Sequence, residues 1–193
     1  MYKRLTIQDT VRVPPEHLGE DLEDSVVAGI RDEKEGRINA DLQGVIIGVE
    51  EISDVEGGEI RAEDAGVHYD VEFTAIVFQP ELHEVVTGEV VDITGFGAFI
   101  RIGPFDGLCH VSQIMDEYVN YDEENDMLNA EESQHSLQVG DTVTTRIIAV
   151  SLDKQETNKI NLTMRQPGLG KEEWIEEYEE EQMAEEEAEE AEA

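Results

Sequence analysis

Positive charge is what this sequence has least of. Its 193 residues hold 13 Lys and Arg against 48 Asp and Glu, a net charge of −35. Lysine is the scarcer of the two bases, at positions 3, 34, 154, 159 and 171 only. A nucleic-acid binder of the ordinary kind shows a basic face or a high pI, so that mode of recognition is excluded. Long apolar runs are missing too. None approaches the roughly 20 residues that cross a bilayer, and no membrane is expected among the partners. The opening MYKRLTIQDTV has two basic residues but no apolar segment, and is not read as a signal peptide. One cysteine, Cys109, excludes an internal disulfide framework and fits a reducing cytosol.

Patterns that carry chemistry are absent as well. About one residue in four is acidic, so carboxylate pairs arise by chance. The five histidines (17, 68, 83, 110 and 135) and Cys109 lack metal-ligand spacing, and Cys109-His110 are neighbours that cannot easily share a tetrahedral site. Asp122, Glu124 and Asp126 imitate the opening of a calcium loop, but Met127 stands where Gly is required and Ser133 where Glu is required. Gly95-Phe96-Gly97 lacks the third glycine and the following helix of a dinucleotide site, and no phosphate-binding loop is present. No catalytic residue, metal or cofactor is expected, and the chain is read as no enzyme on its own.

What is present begins with the spread of acid. Residues 1–84 hold 21 acids and 7 bases, residues 85–170 hold 14 and 5, and residues 171–193 hold 13 and one. Excess spread over every part strains a compact state in ordinary salt. At about 1 M salt the screening length falls to about 3 Å and the repulsion is largely removed. The charge therefore reads as adaptation to a high-salt cytosol, as in a halophilic archaeon; a mesophilic acidic scaffold is the alternative.

Residues 3–13 alternate as a strand, Pro14-Pro15 ends it, and Leu18, Leu22, Val26 and Ile30 give one helical stripe to about Lys34, closed by Gly36. Residues 37–52 read as two short strands or one interrupted by Gly44. DVEGGEI reads as a turn, and VHYDVEFTAIVF from Val67 as a strand. This is a small α+β domain over residues 1–82. Five β-rich runs follow over 83–168: EVVTGEVVDI, GAFIRI, GLCHVS, DTVTTRIIAVSL and KINLTMR. They suggest an all-β five-stranded barrel of the oligonucleotide-binding (OB) fold. The acidic stretch Met115–Gln138 reads as a long loop with a helical turn. Residues 169–193 form a Glu-rich tail, helical at first with Trp174 packed on something, and frayed and disordered beyond Met183.

Alternation puts Ala98, Ile100 and Ile102 in the barrel and forces Phe99 outward beside Arg101. Phe96 sits between two glycines, its ring poorly covered, and His110 follows on the next strand. In the last strand Ile160, Leu162 and Met164 point in, and Lys159, Asn161, Thr163 and Arg165 point out. Exposed rings beside scattered basic groups make a stacking platform for single-stranded nucleic acid. They could equally cover barrel ends or meet a neighbouring domain. Stacking tolerates salt better than phosphate contact does.

The run GEVVDITGFGAFIRIGPFDGLCHVSQI, closed by KINLTMR, resembles the S1 RNA-binding domain, an OB-type barrel. That family's RNA face uses two aromatics around a glycine, a His on the third strand, and an Asp and a basic residue between the last strands. The resemblance carries these roles to Phe96, Phe99, His110, Asp153 and Lys159, although the Asp-to-base spacing is longer here. More of the chain is similar to archaeal RNA polymerase stalk subunits of the E-prime family: MYKRLTIQDTVRVPPEHLGEDL, EGRINADLQG, GPFDGLCHVSQIMDEYV and LTMRQPGLGKEEWIEE, from Met1 to about Glu177.

This likeness implies a ribonucleoprotein-like N-terminal domain, a heterodimer with the small F-type stalk subunit, and docking of an N-terminal tip on the polymerase core near its clamp. It also implies binding of nascent single-stranded RNA, initiation factors as further partners, and roles in promoter opening and processivity. Nucleotide addition would belong to other subunits. The tip, by resemblance, comprises the loop of Gly36, Asn39, Asp41, Gln43 and Gly44 and the loop of Asp64 and Gly66; Gly36 and Gly44 also read as turn glycines. The apolar Val45-Ile46-Ile47 beside it suits core burial or partner contact. Two other readings stay open: a free S1 protein of translation or RNA decay, and a scaffold whose barrel binds no RNA and only holds the small F-type partner.

Overall fold

The computed structural model describes residues 1–19, 21–152 and 159–192. The chain divides at Pro80 into two units.

In the first, strand β1 (Tyr2–Val13) is followed by a 3-10 turn (Pro15–His17) and helix α1 (Leu22–Glu33). Strands β2 (Ile38–Asn39), β3 (Gly44–Ile60) and β4 (Val67–Phe78) complete an antiparallel sheet in the order β1-β4-β3-β2. Pro14-Pro15 ends β1 as expected, but the helix starts later than the apolar stripe suggested. Asp21 caps it, its carboxylate accepting from the Glu23 N–H at 3.1 Å. Leu18 thus lies outside the helix and Leu22 on its first residue, and both stay exposed while Val26 and Ile30 are fully buried. Gly29 lets α1 approach β1: a Cβ there would stand 2.8 Å from the Arg12 carbonyl oxygen. The helix ends at the Lys34 C-cap, before Gly36.

Strand β3 overturns the expected turn at DVEGGEI, because pairing with β4 carries it through to Ile60. Four register shifts interrupt that pairing. Ile46, Val49, Ile52 and Val55, every third residue, face Val77, Ala75, Phe73 and Val71, every second residue, of β4. Each bulge adds one residue to β3, so an apolar period of three serves a face whose neighbour has a period of two. The core is Val11, Val13, Val26, Ile30, Ile46, Val71, Phe73, Ala75 and Val77. Val45 and Ile46 are buried, whereas Ile47 is exposed.

In the second unit, β5 (Val85–Thr94), β6 (Gly97–Ile102), β7 (Phe105–His110), β11 (Thr142–Ser151) and β12 (Lys159–Thr163) form a closed barrel in the order β11-β12-β7-β6-β5. The expected OB-type barrel is therefore present. Neighbours pair antiparallel except β12 with β7, which close the barrel in parallel through Asn161 opposite Leu108 and Leu162 opposite Cys109. Ala98, Ile100, Ile102, Ile160, Leu162 and Met164 fill it, as the alternation required. Thr163 is a correction: it is buried, because its hydroxyl donates to the Gln113 carbonyl at 3.3 Å.

The stretch Met115–Gln138 is a small sheet rather than a loop with a helical turn. Strands β8 (Val119–Asp122), β9 (Met127–Ala130) and β10 (Ser136–Gln138) pair in the order β10-β9-β8. Val119, Leu128, Ala130 and Leu137 give it a buried apolar side that the surrounding acids mask in the sequence. Helix α2 (Glu172–Glu192) continues past Met183, where fraying was expected. Glutamate is a good helix former, and the first turns are anchored by Trp174, whose indole stacks on His135 at 5.2 Å and 17°. His135 also pairs with Glu177 at 2.8 Å. Among the described residues no helix is long and apolar enough to cross a membrane.

Candidate RNA-binding face

The hairpin β5–β6 turns through Gly95-Phe96, and its ends are held by Thr94 opposite Gly97, with the Thr94 hydroxyl donating to the Gly97 carbonyl at 3.0 Å. Gly97 is obligatory. It has φ +152°, and a Cβ there would lie 2.2 Å from the Cys109 carbonyl oxygen. The turn is pinned from the other side by Val111, whose N–H donates to the Phe96 carbonyl at 2.9 Å. Phe96 therefore has a fixed backbone under a ring that is 50% exposed. Phe99, half-buried, meets it edge to face, centroids 6.0 Å apart and planes at 88°.

His110 ends β7 directly opposite Gly97 and is exposed. Its Nδ1 accepts from the Ser112 N–H at 3.2 Å and lies 2.9 Å from the Ser112 hydroxyl. In the neutral ring the proton then sits on Nε2, which presents a donor away from those contacts. Phe99 pairs with Leu108, and Leu108 with Asn161 of β12, so one outer row crosses three strands. Leu108 was missed by sequence reasoning. Its signal was the outward alternation Asp106, Leu108, His110. Lys159, exposed, stands two residues before Asn161 on the same side of β12.

Arg101 does not stand ready for phosphate. Its guanidinium reaches across to Asp106, Nε to Oδ1 at 2.9 Å and Nη2 to Oδ2 at 3.3 Å. That hydrogen bond raises the arginine pKa further, and the pair is charge-neutral. Asp153 lies outside the described residues. Cys109, between Leu108 and His110, points inward; burial pushes its thiol up to about 12, so it is an inert part of the core.

The residues assigned to a tip do not form one surface. Gly44 opens β3 near Phe78, whereas Asp64 and Gly66 lie in the turn after Ile60, which pairs with Val67. These are opposite ends of the β3–β4 hairpin, on the order of 35 Å apart along the strand. Around Gly36–Gly44, Asn39 Oδ1 accepts from the N–H groups of Asp41 (2.9 Å) and Leu42 (3.1 Å). Gln43 takes a left-handed backbone with φ 49°, and its amide donates to the Ala40 carbonyl at 2.5 Å. Gln79 ties this loop to the end of β4 through the Leu42 carbonyl.

Asp64 is an internal clamp instead. It accepts from Arg12 at 2.7–3.1 Å and from the Gly66 N–H at 2.9 Å, and lies 3.0 Å from His68 Nε2. Those donors, Arg12 foremost, hold its carboxyl well below the usual carboxylate range. Glu16, His17 and Asp32 bring donor atoms within 4.8 Å of one another, a grouping the sequence spacing did not announce. His17 already pairs with Asp32 at 3.2 Å, and both acids are exposed, so this is an ordinary surface cluster.

A closed five-stranded barrel with a ring pair on its outer face, in one chain with an α+β unit, defines a two-domain protein of the OB-barrel class. Residues 79–165 match the S1 RNA binding domain, and residues 8–65 match the SHS2 domain found in the N terminus of Rpb7p/Rpc25p/MJ0397. The chain is 37% identical over 175 residues to DNA-directed RNA polymerase subunit Rpo7 of Sulfolobus acidocaldarius, covering 91% of this chain and 95% of that one. It belongs to the Rpo7 family of RNA polymerase stalk subunits. DNA-directed RNA polymerase III subunit RPC8 of Bos taurus is 24% identical over 154 residues, 77% of this chain and 75% of that one. Ribonuclease R of Escherichia coli is 33% identical over 78 residues, which is 39% of this chain and 10% of that enzyme.

Proposed function

We propose that the chain pairs with the small F-type stalk subunit, docks on the polymerase core near its clamp through the N-terminal unit, and receives nascent single-stranded RNA on the outer face of its barrel. Nucleotide addition falls to other subunits, and this one aids promoter opening and processivity, with initiation factors as further partners. The supporting observation is the exposed, backbone-pinned Phe96–Phe99 pair next to His110 on the barrel of a polymerase-family chain. With Arg101 neutralised by Asp106, base stacking is the strongest attraction the face offers. Docking falls to the Gly36–Gly44 loop, with Asn39, Asp41 and Gln43, because Asp64 is committed to Arg12 and to the Gly66 N–H. The −35 charge supports a high-salt cytosol as the setting.

The test is crosslinking of nascent transcript to polymerase reconstituted in molar KCl with the parent or the Phe96→Ala/Phe99→Ala stalk chain. Loss of about 2 kcal/mol or more, some 30-fold in affinity, is expected for two stacked bases. RNA capture equal to the parent's would falsify the stacking mechanism.

A further inference from the structure

The acidic insertion brings a third aromatic ring to the same face. Tyr121 lies on β8, the edge strand of the small sheet. A Cβ built on Gly95 would sit 3.6 Å from Tyr121 Cδ1, so this ring borders the two-residue turn that carries Phe96. Its phenol also feels the charge of Asp92, and Asp92 is the cross-strand partner of Phe99. The ring therefore stands at the Gly95 end of the turn that presents Phe96.

Its placement is fixed at both ends. Tyr121 pairs with Leu128 of β9, and its hydroxyl donates to Asp126 Oδ1 at 3.0 Å. Asp122, the next residue, is turned to its own hairpin: Oδ1 accepts from the Glu124 and Asn125 N–H groups, and Oδ2 from the Asn125 amide at 2.8 Å. The ring is half-buried, so part of its surface is open.

We propose that Tyr121 is a third base-stacking ring, which extends the RNA path from the barrel onto the insertion. This rests on the reading of Phe96 and Phe99 as an RNA platform. The chemistry selects a base rather than a phosphate at this position. Asp126 holds the phenol at 3.0 Å and the charges of Glu123 and Asp92 also act on it; these acids repel the sugar–phosphate chain and leave the uncharged ring as the attractive element. The acidic insertion then sets which side of the strand faces it.

The test uses the full-length chain in molar KCl with fluorescein-labelled oligoadenylates of two and eight nucleotides, read by anisotropy. Tyr121→Ile removes the ring but keeps a β-branched strand former, and Tyr121→Phe keeps the ring but removes the hydroxyl. Tyr121→Ile should weaken octamer binding roughly fivefold or more, leave the dinucleotide within about twofold, and leave the slope of log K against log salt unchanged. Tyr121→Phe should bind as the parent does. If Tyr121→Ile binds octamer like the parent while Phe96→Ala/Phe99→Ala has lost it, the third ring is wrong and the platform stands. If the double Phe variant also binds like the parent, both fall. Should Tyr121→Ile fail to fold, p-azidophenylalanine at position 121 replaces it. Crosslinking to the octamer supports the proposal, and crosslinking only to the small F-type partner, in the heterodimer, overturns it.

Discussion

Phe96, Phe99 and His110 could be found in the sequence because the information is local. Alternation fixes which side Phe99 faces, and two glycines mark the turn that exposes Phe96. Asp64 could not be read in this way. Its chief partner, Arg12, lies on β1, and only the sheet brings them together. Its folded pKa is depressed, so its contribution to stability is complete above the unfolded value near 3.9 and is lost as pH falls through the folded value. Asp64→Asn should therefore lower the melting temperature at pH 7, and the gap to the parent should narrow as pH is taken below about 4. Calorimetry in molar KCl checks this, and a gap that stays constant down to pH 3 would contradict the clamp.

At the scale of elements, α2 carries Glu172, Glu173, Glu176, Glu177, Glu180 and Glu181, a series of like charges spaced i, i+4. Each such pair costs about 0.2–0.5 kcal/mol in low salt and less when screened. The helical signal of the full chain minus that of a chain ended at Tyr178 should grow between 0.1 and 2 M KCl in far-ultraviolet circular dichroism. The shortened chain should keep the parent's melting temperature, because Glu179–Met183 are exposed. A salt-independent difference spectrum would count against charge repulsion as the control on this helix. The barrel strands were legible because each alternates over a short window. Strand β3 was not, because its bulges give the core side a period of three that matches neither helix nor strand. The insertion was not either: its buried residues number one or two per strand among acids, too few for a pattern to show.

For the molecule as a whole, acid exceeds base by about three to one in each folded part, so repulsion acts within both units rather than in the tail alone. The melting temperature should rise by roughly 5 °C or more between 0.1 and 2 M KCl, about 1 kcal/mol for domains of this size, with NaCl equally effective. A flat profile would remove salt adaptation as the account of the charge. The barrel's closure has a consequence of another kind, in time. The last of its seams to be synthesised joins β7 to β12, and the whole insertion and β11 come between them in the chain. On the ribosome all four strands of the N-terminal sheet are made by Phe78, and the row from Phe99 through Leu108 to Asn161 does not exist until β12 has emerged and seated. A nascent chain thus completes its N-terminal strands before the proposed RNA face of the barrel can form.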